Sequence, residues 1–418
     1  SSKGGASDSN TQVSVNGTSI FYGYVDVSTS GIVFLEDDIL VEHNSEGKGT
    51  CSLSASINMP YWGYSGSGSG YIKLTDLPRE AKLNNVSNFN DEQNPEITYY
   101  NQAGESVSSL QACISLTSEL ADIPYRDVSK TGNSYTFNLT DSERETLLKA
   151  TKTSNSRNVY FILRTVIGSN TYYSSIIRNF SVINAEPTFN NFEYEDSNEK
   201  IVNLTGNNQK IVNGHSNLKI NISNNNKAIA KKFATITNYK INDIAYDYSN
   251  NFSQTIQNYK NNNVIVYAID SRGNSKSITK VFQNFIDYVD PNISIEVDRT
   301  DGISEETKLS FSGTWWNGNF GITQNTISAT YQYKKKGEPN TNYINGTTSL
   351  NLVKSGNNIS FEGFIKGDIT NGFDISKQYD IKVILTDKID SYDFYSSVPV
   401  GSPAIDVYEN KVALGGMF

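Results

Sequence analysis

The sequence predicts an all-β protein of tandem β-sandwich domains with one short helix. Three observations carry this. First, strand-type segments bounded by turn residues recur along the chain, most clearly in Val264–Phe282 (VIVYAIDSRGNSKSITKVF). Val264–Ile269 is rich in β-branched and aromatic residues, which fit a pleated, half-buried surface. Asp270-Ser271-Arg272-Gly273-Asn274 supplies turn chemistry, because Asp and Ser bond nearby backbone and Gly tolerates positive φ. Second, Asn, Ser, Thr, Ile and Tyr are prominent where a helical protein would be rich in Leu and Ala. Third, a strand-rich stretch ending in an exit segment and a Pro occurs at Ala185-Glu186-Pro187 and again at Tyr288-Val289-Asp290-Pro291. Strands that close one sandwich and lead straight into the next are the pattern of immunoglobulin-like or fibronectin-like modules in series.

At 418 residues and 46.3 kDa the chain is too long for one core, since single domains run to ~100–150 residues. Its 26 Tyr and 19 Phe are too many for a disordered chain. A net charge of −9 and a pI near 5.0 exclude broad phosphate-backbone binding, so no nucleic-acid partner is expected. No run of ~18 apolar residues is present, so no membrane span is expected. Cys51 and Cys113, the only cysteines, cannot make a disulfide framework or a zinc site and read as buried thiols in different domains. The opening SSKGGASDSN, without Met, reads as a trimmed or tagged start or an interdomain linker, and no secretory signal is visible.

Residues 1–80 are expected to form an N-terminal sandwich. Val13–Val27 and Gly31–Val41 alternate as strands do, His43–Gly49 is a tight turn, and Thr50–Ile57 returns as the partner strand. Tyr61–Ser69 (YWGYSGSGS) reads as a flexible aromatic loop before a strand at Gly70–Leu77. Residues 81–187 form a second unit, with strands at Thr98–Tyr100, Leu110–Leu116 and Ser134–Asn138 and a hairpin around Gly168-Ser169-Asn170. Asp141–Ala150 is the one strong helix signal, with Thr140 as N-cap and Glu143 completing a capping box. Residues 188–291 form a third unit, with a strand at Asn217–Ile222 and the Val264–Phe282 hairpin. Residues 292–406 form a fourth, with strands at Ile293–Arg299, Leu309–Thr314, Thr326–Lys334, Ser349–Val353, Ile359–Phe364 and Tyr379–Thr386. Residues 407–418 are set apart as a terminal segment, part of a short hairpin with Glu409-Asn410-Lys411 at its tip.

Several of these stretches resemble, in order, a family of minor structural proteins of tailed, siphovirus-type phages. The resemblance rests on VEHNSEGKGTCSLSASI and SGSGYIKLTDLPR within Val41–Arg79, NAEPTF at Asn184–Phe189, LTGNNQKIVNGHS at Leu204–Ser216 and IDSRG at Ile269–Gly273. It continues in LSFSGTWWNGNFG at Leu309–Gly321, followed by Asn325, and in Gly401-Ser402-Pro403-Ala404 through Gly415. It implies a virion protein of a tail fibre, baseplate or capsid appendage, with other virion proteins as partners and a role in host attachment. It carries over no catalytic residues. Lys411 stands where the family commonly has Gly, and the chain stops soon after, so a distal receptor-binding module is not expected in it.

His43 and His215, the only histidines, sit in predicted turns with no Gly-x-Ser-x-Gly elbow nearby, which argues for turn geometry over a catalytic triad. The acidic groups Glu36-Asp37-Asp38 and Asp387, Asp390, Asp393 read as solvated loop acids; the second set lacks the Gly and closing Glu of an EF-hand loop. Neither cofactor nor metal is expected. In Trp315-Trp316 adjacent side chains point to opposite faces, so one is core and the other partly exposed or at a domain interface. Lys334-Lys335-Lys336 reads as a solvated strand end that discourages edge pairing. Tyr61, Trp62 and Tyr64, aromatics beside a Gly/Ser stretch, are the candidate binding residues, suited to stacking on a cell-wall glycan or docking a partner.

The function this predicts is mechanical and adhesive, not enzymatic. Rigid modules extend from the virion, and copies assemble as a homo-oligomer, the trimer common in fibres, so that weak contacts gain avidity. Two rivals stand beside it. A tail-associated wall-degrading glycosidase or lyase would need carboxylates held in a cleft. A bacterial surface adhesin would carry a signal and a wall anchor.

Overall fold

The computed structural model describes residues 10–24, 40–44, 47–59, 63–401, 405–408 and 411–414. Its backbone divides into two compact units. The first is Ser1–Ala185 with Lys232–Ala234 and Ser271–Gly273; the second is Glu186–Lys231, Thr235–Asp270 and Asn274–Phe418.

The first unit opens with a four-stranded antiparallel sheet in the order Thr18–Tyr24, Asn10–Val15, Thr50–Met59, Tyr64–Lys73. Two expectations change here. The stretch expected to run unbroken from Val13 folds back at Asn16 and Gly17, whose φ angles of 46° and 79° make the two-residue turn that Asn-Gly favours. Tyr64–Ser69, expected as a loop, is strand, because its backbone pairs in unbroken register with Thr50–Met59 from Thr50↔Lys73 to Met59↔Tyr64. Ladder hydrogen bonds hold this Gly/Ser run straight, whatever its intrinsic flexibility. The expected turn is present, with Gly47 N–H donating to the Asn44 carbonyl at 2.9 Å. Residues 25–39, including the expected strand Gly31–Val41 up to residue 39, lie outside the described residues.

The rest of this unit is a sandwich. A three-stranded sheet (Ser134–Thr136, Glu96–Tyr100, Lys82–Val86) faces a five-stranded one in the order Phe89–Asn90, Asn170–Ser181, Ser156–Ile167, Ser109–Ser115, Ile123–Asp127. Alternation on the inner faces fills the core with Ile97, Tyr99, Phe137, Phe161, Leu163 and Phe180. The short strand Phe89–Asn90 runs parallel to Phe180–Ser181, the end of the last strand. Asp141–Ala150 is helical and has the expected capping box, with Glu143 N–H donating to Thr140 Oγ1 and Thr140 N–H donating to Glu143 Oε2. Leu147 anchors the helix on the core.

The second unit holds two more sandwiches. The first pairs Glu193–Asp196, Leu218–Ile222 and Phe252–Ile256 against Ile244–Asp247, Ile236–Ile241, Asn263–Asp270 and Ser275–Val281. The Val264–Phe282 stretch is a hairpin, in register from Asn263↔Val281 to Ile269↔Ser275, with Gly273 at φ 86° and Asn274 N–H donating to Asp270 Oδ1 at 2.8 Å. A seven-residue helix, Glu199–Thr205, adds to the one expected. Asn198 caps it and Gly206 ends it in the left-handed region, but its short span gives too few periodic apolar positions to announce it.

The second sandwich of this unit has sheet orders Asn292–Arg299, Thr307–Thr314, Asn358–Ile365, Val353–Ser355 and Ile344–Asn345, Ser328–Lys335, Tyr379–Thr386, Ser391–Val398. In chain order this is the A-B-E-D and C′-C-F-G arrangement of an immunoglobulin-like sandwich. The fold class is thus all-β, of immunoglobulin-like sandwiches. Strand Ser391–Val398 was not expected, and the strand expected at Ser349–Val353 reduces to Val353–Ser355. Lys334 is a further correction. It lies in a strand paired on both sides, is 6% exposed, and bonds Asp380 at 2.7 Å on the adjacent strand. A lysine faced by an in-register carboxylate can be buried where an unpaired one would stay in solvent. Ile405–Tyr408 and Lys411–Leu414 form the expected terminal hairpin.

Candidate functional site

The first sheet positions the predicted binding residues. Tyr61 and Trp62 lie outside the described residues. Tyr64 begins the strand Tyr64–Lys73 and is 72% exposed; Tyr71 is more exposed still, and Ile72 somewhat less. The register sorts this sheet into two unlike faces. One carries Ser52, Ser54 and Ser56 beside Ser65, Ser67 and Ser69; the other carries Leu53, Ala55 and Ile57 beside Gly66, Gly68 and Gly70. A shallow recess of about 310 Å³ lined by Ser14, Ser54, Ser56, Ser67 and Ser69 lies on this sheet.

Within the second unit the sequence reading missed a polar-aromatic cluster where its two sandwiches meet. Tyr288 is 2% exposed and packs with Ile201, Val212, Phe320 and Ile389, with Trp316 at its edge. Ring centroids lie 5.6 Å from Tyr288 to Trp316 and 4.7 Å from Trp316 to Phe320. The neighbouring Trp315 is buried in the core of the following sandwich, so the two tryptophans divide as their alternation predicted. The Tyr288 hydroxyl donates to Asp387 Oδ2 at 2.7 Å and lies 2.8 Å from the Tyr392 hydroxyl. Tyr392 donates to Asp290 Oδ1 at 2.9 Å, which also meets His215 Nε2 at 2.9 Å. Burial, together with Tyr392 and Asp387, pushes the Tyr288 phenol far above its ordinary range.

Asp387 is held from all sides. Its Oδ1 accepts the Ile389 and Asp390 amides at 2.7 and 2.9 Å, and its Oδ2 accepts Tyr288 and, at 3.1 Å, Asn325 Nδ2. Asn325, 2% exposed, also donates to the Trp316 carbonyl and accepts the Thr326 and Lys388 amides. Of the three acids expected to be solvated, Asp390 and Asp393 are exposed, Asp393 lying 3.6 Å from Lys382, whereas Asp387 is half-buried and a structural joint. His43 bonds the Thr75 carbonyl at 2.9 Å, a turn role. Glu36, Asp37 and Asp38 lie outside the described residues. A cleft of about 610 Å³ opens beside the cluster, lined by Asn213, His215, Asn258, Lys260, Asp290 and Asp390. A signal for this cluster was present in the sequence. Tyr288 and Asp290 belong to the exit segment before Pro291, Trp316 lies in the LSFSGTWWNGNFG stretch, and Asn325 follows it closely.

Among described residues, no group of three His, Cys, Asp or Glu is placed to hold a metal ion, and no helix is long and apolar enough to cross a membrane.

Solved structures similar to the chain include a tetra-tandem repeat from the extending region of a large adhesion protein. It is 11% identical, with 94% of this chain and 91% of that chain covered, at a TM-score of 0.27. Extracellular cadherin domains 1–5 of protocadherin gamma B2 are 12% identical, covering 85% and 66%, at 0.23. Fibronectin(III)-like modules of Clostridium thermocellum CbhA are 12% identical, covering 46% and 88%, at 0.17. Among curated proteins nothing matches the chain. A family model described as "Siphovirus protein of unknown function (DUF859)" matches residues 6–416, and the chain belongs to that siphovirus protein family.

Proposed function

We propose that this chain is a structural protein of the virion that projects from the particle, in a tail fibre, the baseplate periphery or a head-fibre-like appendage. Beside other virion proteins it takes part in attachment to the host cell surface, with wall glycan as its target. Four modules, 1–80, 81–187, 188–291 and 292–406, with the terminal segment 407–418, make up the projecting arm.

The observation that carries this reading is how the junction spends its chemistry. Tyr288, Tyr392, Asp290, Asp387, Asn325 and His215 bond one another over buried aromatics. A wall-degrading enzyme needs a carboxylate free to exchange protons with substrate. Asp387 instead has four donors on its two oxygens, which makes a stiff joint. Membership of a siphovirus family supports association with the particle.

Cryo-electron microscopy of whole virions, with this chain fitted to the density, tests the placement. Density on an appendage is the expected result. Its absence from virions, with the chain free in the lysate, overturns the proposal and makes wall hydrolysis the next assay. Attachment is read separately, by sedimenting the chain with host walls: Tyr64→Ala is expected to lower the bound fraction several-fold.

A further inference from the structure

Among the described residues, the strand Tyr64–Lys73 is the outer strand of its sheet. It pairs on one side with Thr50–Met59, and among described residues no strand pairs with its other side. Every residue in it is exposed. Edge strands offer a row of unpaired N–H and C=O groups, and proteins usually blunt them with shortness, Pro, mid-strand charges or bulges. This one is ten residues long, carries no Pro, has its single charge at its end, and shows no register shift. Its glycines have no internal reason to be glycine. No positive φ is found at Gly66, Gly68 or Gly70, and a Cβ would meet nothing within 4 Å at Gly68 and Gly70. Glycine weakens a strand interior and often marks where another backbone comes close.

We propose that this edge pairs with the same edge of a second copy of the chain, antiparallel about a two-fold axis through Gly68, to make one eight-stranded sheet. The sequence is self-complementary under that operation. A two-fold perpendicular to the sheet keeps each face continuous, so paired residues must have the same parity. Centring on Gly68 pairs Gly66 with Gly70, Ser67 with Ser69, and Tyr64 with Ile72. Tyr64 and Ile72 are 72% and 56% exposed in the single chain, and an aromatic opposite a β-branched residue is a stabilising cross-strand pair. Centring one residue on, at Ser69, leaves Tyr64 unpaired. The ladder would supply about ten backbone hydrogen bonds, the number a typical specific interface carries. Charge points to the same partner. Two chains of net charge −9 repel, and Tyr64–Ile72 is a stretch without a charged residue, along which they can meet.

The test uses the full chain carrying Cys51→Ser. Sedimentation velocity over a concentration series is expected to show a monomer–dimer equilibrium, weakened at least tenfold by Tyr64→Lys with Ile72→Lys. These are exposed sites, and circular dichroism checks that the strand content is kept. Register is read by cysteine cross-linking under mild oxidation. Gly68→Cys faces its own copy and should cross-link alone. Gly66→Cys and Gly70→Cys should each stay uncross-linked alone and cross-link when mixed, because each faces the other across the axis. A monomer at every concentration, a trimer, or equal cross-linking by all three single variants overturns the proposal. Equal cross-linking would mean that the sheets stack face to face. Virion placement is measured independently, so failure here leaves the proposed function standing.

Discussion

Removing one oxygen tests whether the junction cluster holds the second unit together. Tyr288→Phe keeps the ring and its packing against Trp316 and Phe320, so no cavity opens. What is lost is the hydrogen bond to Asp387 at 2.7 Å and the contact with Tyr392 at 2.8 Å. A hydrogen bond to a charged group contributes about 1.5–3 kcal/mol. Asp387 Oδ2 keeps Asn325, which places the expected loss at about 2 kcal/mol, within that range. The two sandwiches share this cluster, so they should unfold as one block of ~200 residues, in which 2 kcal/mol lowers Tm by about 4–8 °C. Scanning calorimetry and urea denaturation measure both quantities. Tyr392→Phe, whose hydroxyl donates to the exposed Asp290, should cost less, and the double variant should be non-additive by at least about 0.5 kcal/mol. A loss below about 0.5 kcal/mol for Tyr288→Phe, or strictly additive effects, would refute the reasoning.

Other expectations follow from single contacts. Trp316→Ala removes a partly buried ring that touches both Tyr288 and Phe320 and should cost about 2–3 kcal/mol, splitting the calorimetric transition of the second unit in two. Thr140→Ala breaks the capping box and should cost about 1 kcal/mol, whereas Thr140→Ser should be near neutral by denaturant titration. Glu195 is held below its ordinary value of 4.5, first by Lys219 at 3.0 Å, against the opposing effect of burial, with smaller help from the Asn221 and Asn208 amides. A depressed carboxyl stabilises the fold above its unfolded value and loses that contribution as pH falls through the folded one. Stability should therefore decline as pH falls below the ordinary carboxyl value, and Glu195→Gln should flatten that decline.

Strand positions were legible where burial alternates, as in Asn263–Asp270 and Tyr379–Thr386, because period-2 patterning is a local property. The helix at Asp141 was legible because its cap is written in three residues. Three features were hidden for physical reasons. Tyr64–Ser69 has no hydrophobic period at all and owes its strand to pairing across the sheet. Lys334 is buried only because Asp380 sits opposite it in register, a fact about a residue 46 positions away. The junction cluster joins residues from His215 to Tyr392, and no single window of sequence shows that they meet.

The parallel pairing of Phe89–Asn90 with Phe180–Ser181 has a mechanical meaning. These segments lie near the entry and exit of their sandwich, and parallel neighbours pulled from opposite ends slide along each other instead of peeling. Tension on the chain loads the ladder bonds in shear, all at once, and they must yield together. The same parallel geometry recurs where Ile211–Val212 meets Phe285–Ile286, just before the chain leaves the next sandwich. A sandwich pulled from its two ends should resist better than its modest hydrogen-bond count suggests, with the force needed to open it set by two short strands.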